Sequence, residues 1–236
     1  KINNMKVPIH LAIILDGNGR WALKNGFIRS IGHKYGANAL KEIVSYSFEL
    51  GVKYLSLYCF STENWKRDKN EIDYLFSLIS QYLNKYCNDF INKKIKVIFS
   101  GDLSILPNET KLACDMVSLK SKNCDKFILN ICLNYGSKNE IIRATKNIAK
   151  DVKNGLLNEM DIDENTFEKY LYSNGLPSVD FLIRTSNEKR LSNFMLWQIS
   201  YAEIYFCKTL WPEFTKKDLE KAFVEYGKRN RRYGGV

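Results

Sequence analysis

The chain has 236 residues, 45% of them hydrophobic, which is enough for a sizeable core and excludes a disordered chain. Lys and Arg outnumber Asp and Glu by 36 to 26, and the resulting +10 points to an anionic partner: nucleic acid, phosphorylated metabolites or an acidic membrane surface. The six cysteines form no CxxC pair, there are two histidines, His10 and His33, and no apolar run approaches the ~20 residues of a membrane span, so zinc sites and transmembrane helices are not expected.

The first predicted strand is 9–15 (IHLAIIL), and it runs into Asp16-Gly17-Asn18-Gly19-Arg20-Trp21-Ala22. Two glycines let a backbone approach a ligand closely, and a helix opening there would turn free N–H groups toward an anion. Gly17, Gly19 and Ala22 satisfy the dinucleotide pattern GxGxx[GA]. However, Asp16 would repel a bare pyrophosphate, and the acidic residue expected about 20 positions on is missing. A carboxylate beside a phosphate nest makes sense if a divalent cation bridges the two, as magnesium does. The alternative is a tight polar turn with an Asp cap.

A helix is expected over 37–50, from Leu40, Ile43, Val44 and Phe48 at helical spacing. The second strand, 53–60 (KYLSLYCF), leads into Phe60-Ser61-Thr62-Glu63-Asn64-Trp65-Lys66-Arg67. This is either a polar ligand loop or a helix-capping loop anchored by Trp65. A long apolar helix over 71–90 follows, with Leu75, Phe76, Ile79 and Leu83 on its stripe. Further strands are predicted at 95–100, 127–134, 180–184 and 203–207, and helices at 108–122, 138–153, 163–173 and 215–230.

The fifth strand ends on a charge, Arg184, and Arg190, Leu191 and Ser192 follow in one loop. Two guanidinium forks and a hydroxyl make a diphosphate clamp. The alternative is a structural ion pair with Asp180 or Glu188. Alternating strands and helices, with no repeat or long linker, predict one domain over 1–236. Its fold class is α/β: an open, mostly parallel six-stranded sheet flanked by helices. Ligands of such sheets bind beyond the carboxyl ends of the strands, where these loops lie. No GxxxxGK[ST] occurs, so a diphosphate with a metal is favoured over a nucleoside triphosphate.

HLAIILDGNGRWA, LYCFSTENWKR, LNYGSKNEI, DFLIRTSNEKRLSNFMLWQ and YAEIYFCKTLWPEF resemble the undecaprenyl diphosphate synthase family of cis-prenyltransferases, in its order and spacing, from His10 to the terminal RRYGG. The resemblance implies condensation of isopentenyl diphosphate with an allylic diphosphate, farnesyl diphosphate for preference, by a magnesium-dependent homodimer with a hydrophobic tunnel. The product would be a medium-to-long polyprenyl diphosphate, undecaprenyl-like rather than farnesyl-like or dolichyl-like. No DDxxD of the unrelated trans-prenyltransferases occurs.

By the same resemblance Asp16 binds magnesium and promotes diphosphate departure. Gly17, Asn18, Gly19, Arg20, Arg29 and His33 form the allylic diphosphate site, with Trp21 beside it. Ser61, Thr62, Glu63, Trp65 and Arg67 contact substrate. Asn64 matches the position proposed as proton acceptor, although a neutral amide is a poor base and is better suited to orienting a water or the departing diphosphate. Arg184, Arg190 and Ser192 clamp isopentenyl diphosphate, and Glu203 matches a second magnesium position. Ser186-Asn187 stand where the family has Gly-Gly, Lys189 where histidine is frequent, and Cys59 where alanine is common.

The partners expected are the two diphosphate substrates and a second copy of the chain, with peripheral membrane association allowed and nucleic acid excluded. The location expected is cytoplasmic or organellar, soluble or peripherally membrane-associated. Two rival readings are a non-catalytic partner subunit and a nucleic-acid binder using Lys228-Arg229-Asn230-Arg231-Arg232. The first is opposed by the retained Asp16, Asn64, Arg184, Arg190 and Ser192. The second has no accompanying recognition motif.

Overall fold

The computed structural model describes residues 5–230. Arg231, Arg232 and the terminal RRYGG motif lie outside the described residues. Six strands form one sheet: β1 (His10–Ile14), β2 (Tyr54–Tyr58), β3 (Ile95–Ser100), β4 (Phe127–Cys132), β5 (Phe181–Arg184) and β6 (Glu203–Phe206). Their order is β3-β4-β2-β1-β5-β6, and every pairing is parallel. β1, apolar on both faces, occupies a central position, as burial on both sides of a parallel sheet requires. The chain leaves β1 toward β2 on one side and leaves β5 toward β6 on the other, so the switch point at which such sheets bind ligands lies between β1 and β5.

The helices are α1 (Asn18–Lys24), α2 (Arg29–Leu50), α3 (Lys69–Asn92), α4 (Asn108–Ser121), α5 (Ser137–Lys153), α6 (Glu164–Glu168) and α7 (Lys216–Gly227). Residues of α2, α3, α4 and α7, among them Ile43, Phe76, Val117 and Phe223, pack with Leu11, Leu57, Val97 and Ile183 from one face of the sheet. The other face carries Ala12, Tyr58, Cys132 and Leu182 beneath Phe194, Met195 and Ile199. Two local expectations change. α2 begins at Arg29 rather than near residue 37, because Gly32 and Gly36, poor helix formers, serve as close-contact points instead. An added Cβ at Gly32 would lie 2.0 Å from the Asn18 carbonyl oxygen. The helix expected over 163–173 closes after Glu168.

Polar side chains link four strands inside the sheet. Ser100 donates to Asn130 Oδ1 at 2.8 Å, Asn130 Nδ2 donates to Ser56 Oγ at 3.0 Å, and Ser56 pairs with His10 Nε2 at 2.8 Å. His10 Nδ1 then meets the Pro177 carbonyl at 2.7 Å. Because a carbonyl only accepts, Nδ1 carries the proton, and Nε2 is left to accept from Ser56. The chain of donors therefore runs in one direction, from β3 to β1.

All six cysteines are free. Cys59 and Cys114 have thiol pKa values pushed up to about 12 by burial, as small core residues would.

Candidate active site

The carboxyl ends of β1, β2 and β5 deliver the loops that sequence singled out. Gly17 caps α1 with φ 114, a left-handed conformation that suits glycine, and an added Cβ would also meet Leu210 at 3.0 Å. Asp16 is fixed just before it. Thr185 Oγ1 accepts from the Asp16 N–H at 2.9 Å and donates to the Asp16 carbonyl at 2.6 Å.

Arg184 is 3% exposed, and its partner is Asp16 rather than Asp180 or Glu188: Nη2 lies 2.9 Å from Oδ2. Nη1 donates to Ser192 Oγ at 2.7 Å and to the Arg190 carbonyl. Its buried Nε–H has no acceptor within the protein, so the side chain retains a free donor. Arg190 is mostly exposed and pairs with Glu188, which also holds Arg20 at 3.0 Å. Arg20 reaches Asp16 at 3.4 Å and Ser186 Oγ at 2.5 Å. Asp16 thus sits between two guanidinium groups.

Ser186 and Asn187, at the Gly-Gly positions of the family pattern, adopt φ 70 and φ 60. The loop keeps the left-handed backbone that glycine favours, although side chains are present. Ser192, Asn193 and Met195 are also left-handed, at φ 50, 62 and 47. Such strain gathers where surrounding structure holds a backbone in a functional shape.

A second cluster forms where α2 meets α3. Glu71 binds His33 Nε2 at 3.0 Å, Arg67 at 3.2 Å and Arg29 at 3.5 Å. Burial would raise the Glu71 carboxyl pKa, but the His33 hydrogen bond and the arginine charges prevail and lower it. Burial lowers the pKa of His33, outweighing the hydrogen bond to Glu71. A neutral ring agrees with its contacts: Nε2–H donates to Glu71 and Nδ1 accepts from Asn18 Nδ2 at 3.5 Å. Sequence reasoning treated Glu71 only as the start of a helix and missed this role. An acidic residue in a first helical turn, four positions after Arg67, was the available signal.

The loop after β2 divides. Asn64 closes a capping box with Ser61, its Oδ1 accepting from the Ser61 N–H at 3.0 Å. That commits the carbonyl side of the amide and leaves Nδ2 as donor. Glu63 Oε1 accepts from Asn193 at 2.9 Å, and such bonds outweigh burial to lower its pKa. Thr62 donates to Glu63 at 3.2 Å. Trp65 stacks among Phe60 and Phe76 and donates to Asn134 at 2.8 Å, as the anchoring alternative described. Thr62, Glu63 and Trp65 brace the loop, whereas Ser61, Asn64 and Arg67 face a cavity.

That cavity, about 410 Å³, starts among Asp16, Asn18, His33, Asn64, Arg67, Arg184, Arg190 and Ser192. It continues between α2 and α3 over the sheet, past Ala37, Leu40, Leu75, Leu78, Ile79, Leu83, Leu129 and Ile131, to Phe90 and Ile95. Ile95 opens β3 at the end of the sheet opposite Asp16. A charged mouth therefore opens into a largely apolar passage toward the far end of the sheet, where Lys41, Ser45, Asp89 and Lys93 also line it. Phe76 turns away into the Phe60–Trp65 cluster. Leu191 packs on the other face of the sheet, and Trp21 stacks with Phe27 and Tyr35 outside the mouth.

Glu203 lies elsewhere. It opens β6 in register with Phe181 and pairs with Arg229 at 2.9 Å, whereas Asp16 follows the opposite end of β1. No cluster of three or more His, Cys, Asp or Glu able to hold a metal occurs among the described residues. Asp16 alone, beside two arginines, suits a magnesium ion that takes most of its remaining ligands from substrate phosphates and water.

Fold and site together define an α/β protein whose arginine-bearing mouth, at the carboxyl ends of β1 and β5, opens into a cavity between α2, α3 and the sheet. Residues 14–234 match the family described as "Putative undecaprenyl diphosphate synthase". The chain is 47% identical over its whole length to an isoprenyl transferase of Prochlorococcus marinus, covering 87% of that protein. It is 45% identical to an isoprenyl transferase of Bacillus subtilis, covering 98% of this chain and 89% of that one. The fold superposes with a TM-score of 0.94 on lavandulyl diphosphate synthase from Lavandula x intermedia in complex with dimethylallyl diphosphate. That pair shares 36% identity, covering 97% of this chain and 98% of that one. The chain belongs to the undecaprenyl diphosphate synthase family of isoprenyl transferases, enzymes that act on isoprenoid diphosphates to elongate prenyl chains. No described helix is long and apolar enough to cross a membrane.

Proposed function

We propose that this enzyme condenses isopentenyl diphosphate with an allylic primer of farnesyl size and repeats the step to a medium-to-long polyprenyl diphosphate. The observation that carries the reading is the continuity of a polar, three-arginine mouth with a largely apolar passage reaching Ile95. A growing prenyl tail is apolar and leaves water on entering such a passage, at roughly 25 cal/mol per Å² of apolar surface buried.

In this scheme His33, Arg29, Arg67 and the Asn64 amide hold the allylic diphosphate, and Arg184, Arg190 and Ser192 hold isopentenyl diphosphate. The allylic C–O bond breaks and diphosphate departs with the electron pair. The isopentenyl double bond supplies the electrons of the new C–C bond, and a proton lost from the adjacent carbon restores a double bond. Asn64, with its oxygen committed to Ser61, donates rather than accepts, so the proton goes to the departing diphosphate. Magnesium, held by Asp16 and substrate oxygens, would neutralise charge on the leaving group. Glu203 is not part of that site within one chain. The homodimer belongs to the same reading, and sedimentation of the purified protein tests it.

Likeness to a synthase in complex with dimethylallyl diphosphate raises the alternative of a short product, but the passage extends well beyond the mouth and favours elongation. Incubation with farnesyl diphosphate, labelled isopentenyl diphosphate and magnesium should give labelled chains longer than the primer. A folded protein that incorporates no label would overturn the reading.

A further inference from the structure

We propose that the corner between α1 and α2 is a docking surface for a lipid bilayer bearing anionic headgroups, placed beside the mouth of the active site. The side chains there are amphipathic. Leu23, Phe27, Ile28 and Tyr35 are 59%, 42%, 70% and 43% exposed. Phe27 and Tyr35 join Trp21 in one aromatic group, with ring centroids 6.0 Å apart for Trp21–Phe27 and 4.4 Å for Trp21–Tyr35. Aromatic rings with a polar edge favour the headgroup level of a bilayer, and aliphatic side chains beside them favour the acyl boundary.

The charge pattern selects the occupant. The charged residues between Asp16 and Glu42 are Arg20, Lys24, Arg29, Lys34 and Lys41. Arg20 is paired with Asp16 and Glu188, Lys24 with Glu213 and Arg29 with Glu71, so Lys34 and Lys41 supply the positive charge that remains. Basic side chains attract an anionic bilayer when they lie within a Debye length of it. A second copy of this chain would present the same excess of positive charge, so pairing two such corners is disfavoured. Another exposed apolar pair, Leu112 and Leu119 on α4, lies among both signs of charge, with Glu109, Asp115, Lys111 and Lys120 on the same helix, and lacks this selectivity.

The corner also touches the site. An added Cβ at Gly19 would lie 2.7 Å from the Arg29 guanidinium, and Arg29 shares Glu71 with His33, which lines the cavity mouth. Docking here would hold the diphosphate-binding mouth at headgroup depth, where an amphiphilic prenyl diphosphate partitions. The docking itself stands apart from the prenyl-transfer reading, because vesicle binding needs no turnover.

Flotation of the purified protein with phosphatidylcholine vesicles, with and without a minority of phosphatidylglycerol, tests it. The protein should float with the anionic vesicles, less well with phosphatidylcholine alone, and less well at high salt. Leu23→Ser combined with Ile28→Ser should weaken binding by roughly tenfold or more with an unchanged melting temperature. Lys34→Glu, which keeps the apolar patch, should weaken it as well. Leu112→Ser with Leu119→Ser should float like the wild type. Failure of the wild type to float with anionic vesicles would overturn the proposal. So would undiminished floating of the Leu23/Ile28 variant, loss of floating in the Leu112/Leu119 variant, or self-association through this corner that the Leu23/Ile28 variant abolishes.

Discussion

Asp16 and Arg184 meet at 2.9 Å and join the carboxyl ends of β1 and β5. The pair gives Asp16 two tasks, because Arg184 is buried and loses this anionic contact if the carboxylate is removed. Breaking one side of a buried pair typically costs about 3–5 kcal/mol. Asp16→Ala should therefore lower both stability and turnover, the latter by the ~10²–10³ typical of a key electrostatic group. Asp16→Asn keeps a hydrogen-bond acceptor for Arg184 but not the charge, so it should lose less stability than Asp16→Ala while losing comparable turnover. Thermal melts beside initial rates separate the two effects. Full activity in a folded Asp16→Asn protein would remove Asp16 from the chemistry.

The two arginine sets lie on different elements, and their substitution should split by substrate. Arg190 is exposed, with Glu188 as its ion-pair partner, and Arg29 sits across the mouth on α2 with Glu71. Arg190→Ala should chiefly raise KM for isopentenyl diphosphate, and Arg29→Ala chiefly that for the allylic primer, each with little change in melting temperature. Steady-state kinetics that vary one substrate at a time decide this, and the opposite pattern would exchange the two sites.

The sheet was legible because its strands are short, mostly apolar runs bounded by polar loops, and all six appear where they were predicted. The mouth was legible in part. Asp16, Arg184 and Ser192 follow strands, where a parallel sheet places ligand groups. What sequence left hidden were partnerships set by tertiary packing. Arg184 chose a carboxylate 168 positions away rather than a neighbour. Glu71 gathered Arg29 from α2 and Arg67 from the loop before α3. Trp65 and Glu63, chemically plausible ligands, were taken up in bracing the loop. α1 was anticipated only as a helix opening after the glycines, without bounds, because a seven-residue helix carries too few apolar repeats to show a period.

His10 ends the directional chain of hydrogen bonds across the sheet, and its neutrality has a consequence in acid. Burial lowers its pKa from 6.5 to about 4, against the opposing pull of the Pro177 carbonyl and Asp180. The unfolded chain therefore binds the proton more readily than the folded one. The contribution of a neutral His10 to stability is complete above pH 6.5 and is lost as pH falls from there toward 4. At about pH 5 the loss should reach ~2 kcal/mol. His10→Gln cannot titrate, so the difference in urea stability between wild type and variant should shrink by that amount on going from neutral pH to about pH 5. A difference that stays constant would show that His10 does not titrate in this window.

Product length should depend on depth along the passage. The growing tail advances from the mouth toward Ile95, and synthesis stops when the tail can go no further. Ala37 lines the passage one turn from His33, while Ile95 lies at the far end. A larger side chain at either place occupies space the tail would need, and well-packed surroundings give way only at a cost of about 1–3 kcal/mol. Ala37→Leu should cut the product to a few isoprene units. Ile95→Trp should trim only the longest chains. Phe76→Leu, at a residue facing the Phe60–Trp65 cluster instead of the passage, should leave the distribution unchanged. Chromatography of dephosphorylated products reads all three outcomes. Equal shortening by Ala37→Leu and Ile95→Trp, or a shift caused by Phe76→Leu, would show that length is not measured along this passage.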